Sequence, residues 1–143
     1  MRPKLLEIEG LQSFRDVQRI DFEALGETGL FGIFGPTGSG KSTVLDAVTF
    51  ALYGKVKRAD GGTQGIINTN MNTAKVSFTF ELMKDGIRKT FRVERTYQRK
   101  KGTANSCEPK IARLIEITDA GEIPVCDKAT DVSNNIKELL GLS

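Results

Sequence analysis

The sequence predicts an α/β fold in which one strand–loop–helix unit is joined to an antiparallel β-subdomain. Three observations predict it. The stretch Gly35-Pro36-Thr37-Gly38-Ser39-Gly40-Lys41-Ser42 meets the phosphate-loop pattern G-x-x-x-x-G-K-[ST] at every fixed position. Its flanks suit that pattern: Leu30-Phe31-Gly32-Ile33-Phe34 is a near-continuous apolar run, and Val44, Leu45, Ala47, Val48, Ala51 and Leu52 recur at helical spacing before Gly54. Beyond residue 73, period-two alternation dominates, whereas a small nucleotide kinase would go on alternating strand and helix.

The residue types in the loop follow from what phosphate demands. Glycine lets the backbone approach closely, and successive N–H groups converge on a β-phosphate. The first helical turn adds unpaired donors and the positive end of a dipole. Lys41 is placed to reach the β- and γ-phosphates, Ser42 to offer a hydroxyl to Mg²⁺, and Thr43 to contact the α-phosphate. ATP and Mg²⁺ are therefore the expected ligands of Gly35, Pro36, Thr37, Gly38, Ser39, Gly40, Lys41, Ser42 and Thr43.

Taken in order, Lys4 to Glu9 reads as a strand with Leu6 and Ile8 in alternation. Val17 to Phe22 resumes the pattern, so the two should form a hairpin. Residues 54–73 carry little periodicity and suit a functional or mobile loop. Lys75 to Leu82 is the cleanest strand, with Val76, Phe78, Phe80 and Leu82 facing a core. Asp85-Gly86 is a tight-turn dipeptide. The return strand runs from Ile87 to about Tyr97, with Ile87, Phe91, Val93 and Tyr97 in phase and Arg88, Thr90, Arg92 and Glu94 on its other face. Gln98 to Pro109 is a polar, basic loop. Lys110 to Thr118 is a strand whose Ile111, Ile115 and Ile117 share a face, and Ile123 and Val125 mark a short partner after Asp119-Ala120-Gly121. A helix closes the chain, with Ala129, Val132, Ile136, Leu139 and Leu140 on one stripe, Asp127 as N-cap and Gly141 past its end.

Composition narrows the chemistry. A chain of 143 residues is one domain by length, and 38% apolar with 27% charged residues speaks for a folded one. It has no histidine, and Cys107 and Cys126 lack metal-ligand spacing, which excludes zinc sites and histidine acid–base catalysis within it. No apolar run is long enough to span a bilayer, so a cytoplasmic protein is expected. The net charge of +3 is uneven: Lys84 to Lys101 holds eight basic and two acidic residues, and +3 overall against +6 there leaves −3 elsewhere. Arg88, Arg92, Arg99, Lys100 and Lys101 are thus candidates for contact with DNA phosphates; the competing reading is a solvated strand face. One part is absent. No apolar run downstream of Ser42 ends in the acid that would complete a hydrolytic Mg²⁺ site, so the chain reads as half an ATPase.

The opening Lys4-Leu5-Leu6-Glu7-Ile8-Glu9-Gly10-Leu11-Gln12-Ser13-Phe14, the block from Gly29 to Ala47 and Ala51-Leu52-Tyr53-Gly54 together resemble the SbcC family, the ATPase subunits of bacterial SbcCD nucleases. The resemblance implies an ABC-type ATPase head split by a long coiled coil, with residues 1–143 forming its N-terminal lobe. It further implies that the C-terminal lobe brings the catalytic acids, and that a second head sandwiches ATP in a homodimer. An SbcD-like nuclease subunit and DNA are the implied partners. Gln12 and Ser13 align with a segment near the γ-phosphate, where related heads carry Arg in place of Gln12. Residues 66–70 fall where such heads approach the adenine. An SMC-type chromosome-organising head and a transporter ATPase share the same lobe; Pro36-Thr37 and the basic hairpin favour the repair ATPase.

Overall fold

Alternation of small, aromatic and β-branched residues with polar ones builds most of what is seen. The computed structural model describes residues 1–10, 17–23, 47–54, 72–99 and 107–141. Within them, β1 (Arg2–Glu9), β2 (Gln18–Asp21), β3 (Thr73–Lys84), β4 (Ile87–Arg99), β5 (Cys107–Thr118) and β6 (Gly121–Cys126) form one antiparallel sheet of order β2-β1-β3-β4-β5-β6. Phe22 and Glu23 are helical, and among the described residues two longer helical stretches accompany the sheet: α1, described over 47–53, and α2 (Ala129–Leu139).

The expected hairpin of the first two strands is present, with Leu6 opposite Ile20 and Ile8 opposite Gln18. β1 also pairs β3, which makes it an interior strand. The β3–β4 hairpin turns at Asp85 and Gly86, whose φ angles of 54° and 77° are both positive. That is the type I′ signature, and its twist matches the strands it joins. It sets the register in which Phe80 faces Phe91 and Phe78 faces Val93.

One face of the sheet is dry. Leu6, Ile8, Val76, Phe78, Phe80, Val93 and Leu114 are at most 2% exposed. Phe78 stacks on Phe80 at 5.5 Å between centroids, Phe80 on Phe91 at 6.0 Å, and Phe22 meets Phe78 edge-on at 6.5 Å. Each such ring contributes about 1.5–3 kcal/mol by leaving water, so this ladder is the main cohesive term of the sheet. Both helices lie over this face: Ala47, Phe50, Ala51 and Leu52 of α1 and Val132 and Ile136 of α2 join the same core.

The polar loop expected from Gln98 to Pro109 is shorter, because β4 runs to Arg99 and β5 begins at Cys107. The Ile111, Ile115, Ile117 stripe of β5 shares a face, as expected; that face is the one opposite the main core, where Ile115 is nonetheless buried. Val93 pairs Leu114 and Arg95 pairs Ala112, so the core phase of β5 is Ala112 and Leu114, and the isoleucines lie on the opposite face beside Thr96, Arg92 and Thr90. Side-chain period two makes that a consequence of register alone. Ile87 shares the core phase of β4 but lies beyond the last covered row and is 60% exposed. Finally, the N-cap of α2 is Lys128, with no side-chain capping bond, in place of Asp127. Past its end, Gly141 takes the left-handed conformation (φ 73°) and donates its N–H to Glu138 O, as expected of a residue in that position.

The open face carries charge in compensated rows. Arg92 donates from Nε to Glu94 at 3.0 Å and from a terminal nitrogen to Glu122 at 2.7 Å, while Arg113 reaches the other Glu94 oxygen at 3.3 Å. Lys75 lies 4.0 Å from Glu9, and Lys4 bridges Glu23 and Glu81. The Arg92–Glu122 pair links β4 to β6 across β5. These pairs are partly solvated, so each contributes little alone and loses strength with salt.

The hydrogen bond to Glu122 raises the Arg92 guanidinium above its ordinary value, and Arg92 in return holds the Glu122 carboxyl below the usual carboxylate range. A carboxylate depressed in the folded state stabilises above its unfolded pKa, about 4.3 for Glu, and that stabilisation is lost as pH falls through the folded value. Glu122→Gln is therefore expected to lower the urea midpoint slightly at neutral pH and not at all in acid. A mutant–parent difference that is the same at both ends of the pH range would refute the pairing.

Candidate functional site

The loop 35–43, with the flanking Gln12 and Ser13, lies outside the described residues, as do residues 66–70, Lys100 and Lys101. What the structure describes is the helix over 47–53 that follows the loop in sequence and runs into Gly54, and the way the sheet holds it.

α1 is amphipathic to the point of near-total burial. Ala47, Phe50 and Ala51 are 0% exposed, and Phe50 meets the Tyr97 ring edge-on at 4.8 Å. A helix ends with four carbonyls that have no intrahelical partner, and in a buried end each must be met from outside. Here β4 and α2 meet them. Arg95 Nε donates to Ala51 O at 2.7 Å, Arg95 Nη2 to Leu52 O at 3.1 Å, Ser133 Oγ to Tyr53 O at 3.3 Å, and Tyr97 Oη to Gly54 O at 2.8 Å. Arg95 Nη2 also donates to Ser133 Oγ at 3.1 Å, which closes a ring between β4, α1 and α2. Gly54 ends the helix with φ 75°, its own N–H returning to Phe50 O at 2.8 Å. A side chain there would be strained by that φ, and its Cβ would press on Arg95 Nη1 at 3.0 Å and on Tyr97 Oη at 3.2 Å.

Arg95 is 1% exposed. Burial pushes its pKa down from the free value. Among the described residues no carboxylate meets it. Its counter-charge is the negative end of the α1 dipole together with three hydrogen-bond acceptors. Hydrogen bonds to a charged group are worth about 1.5–3 kcal/mol each, enough together to offset the several kcal/mol that burying one cation costs. Arg95 and Ser133 are functional in this supporting sense, and neither was singled out from the sequence. The signal was available: Arg95 sits in the same two-residue phase as Phe91, Val93 and Tyr97.

The basic stretch is less free than its charge implied. Arg95 is inside, Arg92 is paired with Glu94 and Glu122, and Lys89 lies 3.9 Å from Glu116. Arg88 is exposed near the hairpin tip, and Arg99 is half-buried at the far end of β4, its backbone N–H bonded to Asn72 O. The two are thus at opposite ends of β4 and do not form one cluster. Among the described residues no group of His, Cys, Asp and Glu is placed to hold a metal, and no helix is long and apolar enough to cross a membrane. Cys126, half-buried near Asp127 and Asp131, has its thiol pushed up by burial first and by those acids second.

Replacing Arg95 by Met keeps the length and removes the donors. It leaves buried carbonyls of α1 unmet, at about 1–3 kcal/mol each. The expected loss is about 3 kcal/mol or more in urea unfolding, with Arg95→Lys recovering only part because an ammonium lacks the planar fork. A Met variant as stable as the parent would show that these carbonyls find other donors.

Comparison with known proteins places this geometry in a family. A model of the AAA domain matches residues 5–140. The chain is 48% identical over 143 residues to the SbcC protein of the nuclease SbcCD of Bacillus subtilis, and 43% identical over 144 residues to its counterpart in Clostridium acetobutylicum. Each alignment takes in the whole of this chain and 12% of the relative, so the chain spans about an eighth of the length of these proteins. A probable DNA double-strand break repair Rad50 ATPase of Aquifex aeolicus is 39% identical over 100 residues, covering 68% of this chain and 10% of that protein. With a match that leaves only a few residues at either end, the chain belongs to the AAA domain family.

Proposed function

We propose that residues 1–143 are the N-terminal, nucleotide-binding lobe of an ABC-type P-loop ATPase head in an SbcC-like DNA-repair protein. The observation that carries this is the 48% identity, across the whole of this chain, to the SbcC protein of an SbcCD nuclease, in a sequence with an intact phosphate-loop pattern. In this reading Gly35 to Thr43 grip the triphosphate of ATP, Lys41 neutralises its β- and γ-phosphates, and Ser42 holds Mg²⁺. Gln12 and Ser13 lie near the γ-phosphate. When bound, Mg²⁺ would supply charge neutralisation between the β- and γ-oxygens. The chain itself contributes donors and one fixed positive charge, presented by a helix whose other end is locked to the sheet.

The acid that holds Mg²⁺ from a second strand, and the group that orients water, would come from the C-terminal lobe and a second head. ATP-driven pairing of heads would then govern an SbcD-like nuclease on DNA. Arg88, Arg99, Lys100 and Lys101 remain the proposed phosphate contacts, giving affinity without sequence reading. Arg92 reaches a phosphate only by releasing Glu122 or Glu94. The protein is proposed to work in the cytoplasm.

Lys41→Ala is expected to weaken Mg-ATP binding by well over tenfold, measured by isothermal titration on protein whose circular dichroism matches the parent. Parent-like affinity would remove the loop from the site. The chain 1–143 alone is expected to turn over ATP barely above the uncatalysed rate in a coupled phosphate-release assay. Sustained turnover that Lys41→Ala abolishes would place a catalytic acid inside this chain.

A further inference from the structure

A polar cavity of about 370 Å³ opens at the carboxyl end of α1. Arg95 and Tyr97 of β4 form one wall, and Thr130, Ser133, Asn134 and Lys137 of α2 form the other. Those four α2 positions follow at i, i+3, i+4 and i+7, so they make a second stripe along the helix, polar throughout, beside the apolar stripe that meets the core.

The donors in this cavity exceed the acceptors. Arg95 Nε and Nη2 are engaged by α1 and Ser133, whereas Nη1 makes no hydrogen bond among the described residues. Yet no fully enclosed side-chain nitrogen or oxygen among those residues lacks a partner. Nη1 is therefore reached from the cavity, although Arg95 as a whole is 1% exposed. Lys137 adds an ammonium at the rim, and Asn134 and Thr130 add an amide and a hydroxyl. Ser133 and Tyr97 already donate to Tyr53 O and Gly54 O. Among the described residues no carboxylate lines the space. The α1 carbonyls answer part of the Arg95 charge, and none of the described lining residues answers Lys137, so the described lining is net positive with donors on two walls.

We propose that this cavity is a second oxyanion site, taking a tetrahedral phosphate-class group. One guanidinium nitrogen, Nη1, opposite an ammonium gives two charge-assisted donors to the oxygens of such a group. The group could be free inorganic phosphate or the phosphodiester of a nucleic acid; the recognition chemistry is the same. The site does not depend on nucleotide at residues 35–43, and the test keeps the two apart.

The chain carrying Lys41→Ala, which silences the loop, is labelled with ¹⁵N and titrated with inorganic phosphate. Saturable shifts with one shared Kd are expected at the backbone amides of Gly54, Thr130, Ser133 and Asn134. Lys137→Glu, an exposed position that leaves the core untouched, is expected to weaken that Kd by roughly tenfold or more. Thr130→Val serves as a second, neutral variant with a smaller loss. A short single-stranded oligonucleotide that competes phosphate away from the same amides identifies a polymer phosphate as the natural occupant; failure to compete leaves the free anion. Absence of saturable shifts, shifts scattered over surface lysines and arginines, or a Kd indifferent to Lys137→Glu would each overturn the site.

Discussion

A cation without a carboxylate governs this structure. Arg95 is carried into the core by the strict alternation of β4, and once there it must be answered by something. The answer is the carboxyl end of α1, whose own problem, a row of carbonyls left open at a buried terminus, is the mirror image. Neither element could be buried at that spot without the other. A hydrophobic residue at 95 would leave the helix end unmet, and a helix ending elsewhere would leave the guanidinium unmet. The hydrogen bonds from Ser133 and Tyr97 complete the arrangement and tie α2 into it, so three elements distant in sequence are fixed by one junction.

The sheet tolerates this because its remaining core rows are aromatic and aliphatic and need no polar satisfaction. Phe78, Phe80 and Phe91 form a ladder across β3 and β4, and the junction sits beyond it, toward the end where Tyr97 closes over Phe50. The opposite face divides its labour differently. There Glu94 and Glu122 bind Arg92, Glu94 also binds Arg113, and the charges largely cancel within the sheet. A stretch that is +6 in sequence therefore presents much less than that to a partner, because part is buried and part is paired. Charge counted along a strand overstates charge displayed by a sheet.

The fold was legible where local physics and tertiary physics agree. The β3 alternation, the Asp85-Gly86 turn and the apolar stripe of α2 each encode their own outcome, and each is found. What a strand alone leaves open is which of its two faces turns inward. Ile111, Ile115 and Ile117 are the more apolar set of β5, yet pairing with Val93 and Arg95 turns Ala112 and Leu114 to the core. Register is decided by the neighbour and not by the strand. Arg95 was illegible for a related reason. Its phase pointed inward, but charge argues against burial, and the acceptor that makes burial possible lies more than forty residues away on a helix end. As for the site, the phosphate-loop pattern was readable as a motif, while its support at Gly54, Arg95, Tyr97 and Ser133 had no motif to betray it.

That support bears on how a nucleotide lobe of the proposed kind would work. A helix that offers its amino end to a polyanion is pulled toward it, and the pull is useful only if the other end does not follow. α1 is held at its far end by charged and neutral hydrogen bonds to a strand in the middle of a six-stranded sheet, which is as stiff an anchor as the described residues contain. The same junction passes through Ser133 into α2, so a displacement of α1 along its axis would have to break its hydrogen bonds to Arg95 and to Ser133 together. Carrying α2 along would not spare them, because Arg95 stands on β4 and its bond to Ser133 would break as well. Breaking them leaves a buried cation unmet, at a cost of several kcal/mol. In the proposed head, a load taken at the amino end of α1 is therefore resisted by the sheet, and it is the pairing of one arginine with one helix end that makes it so.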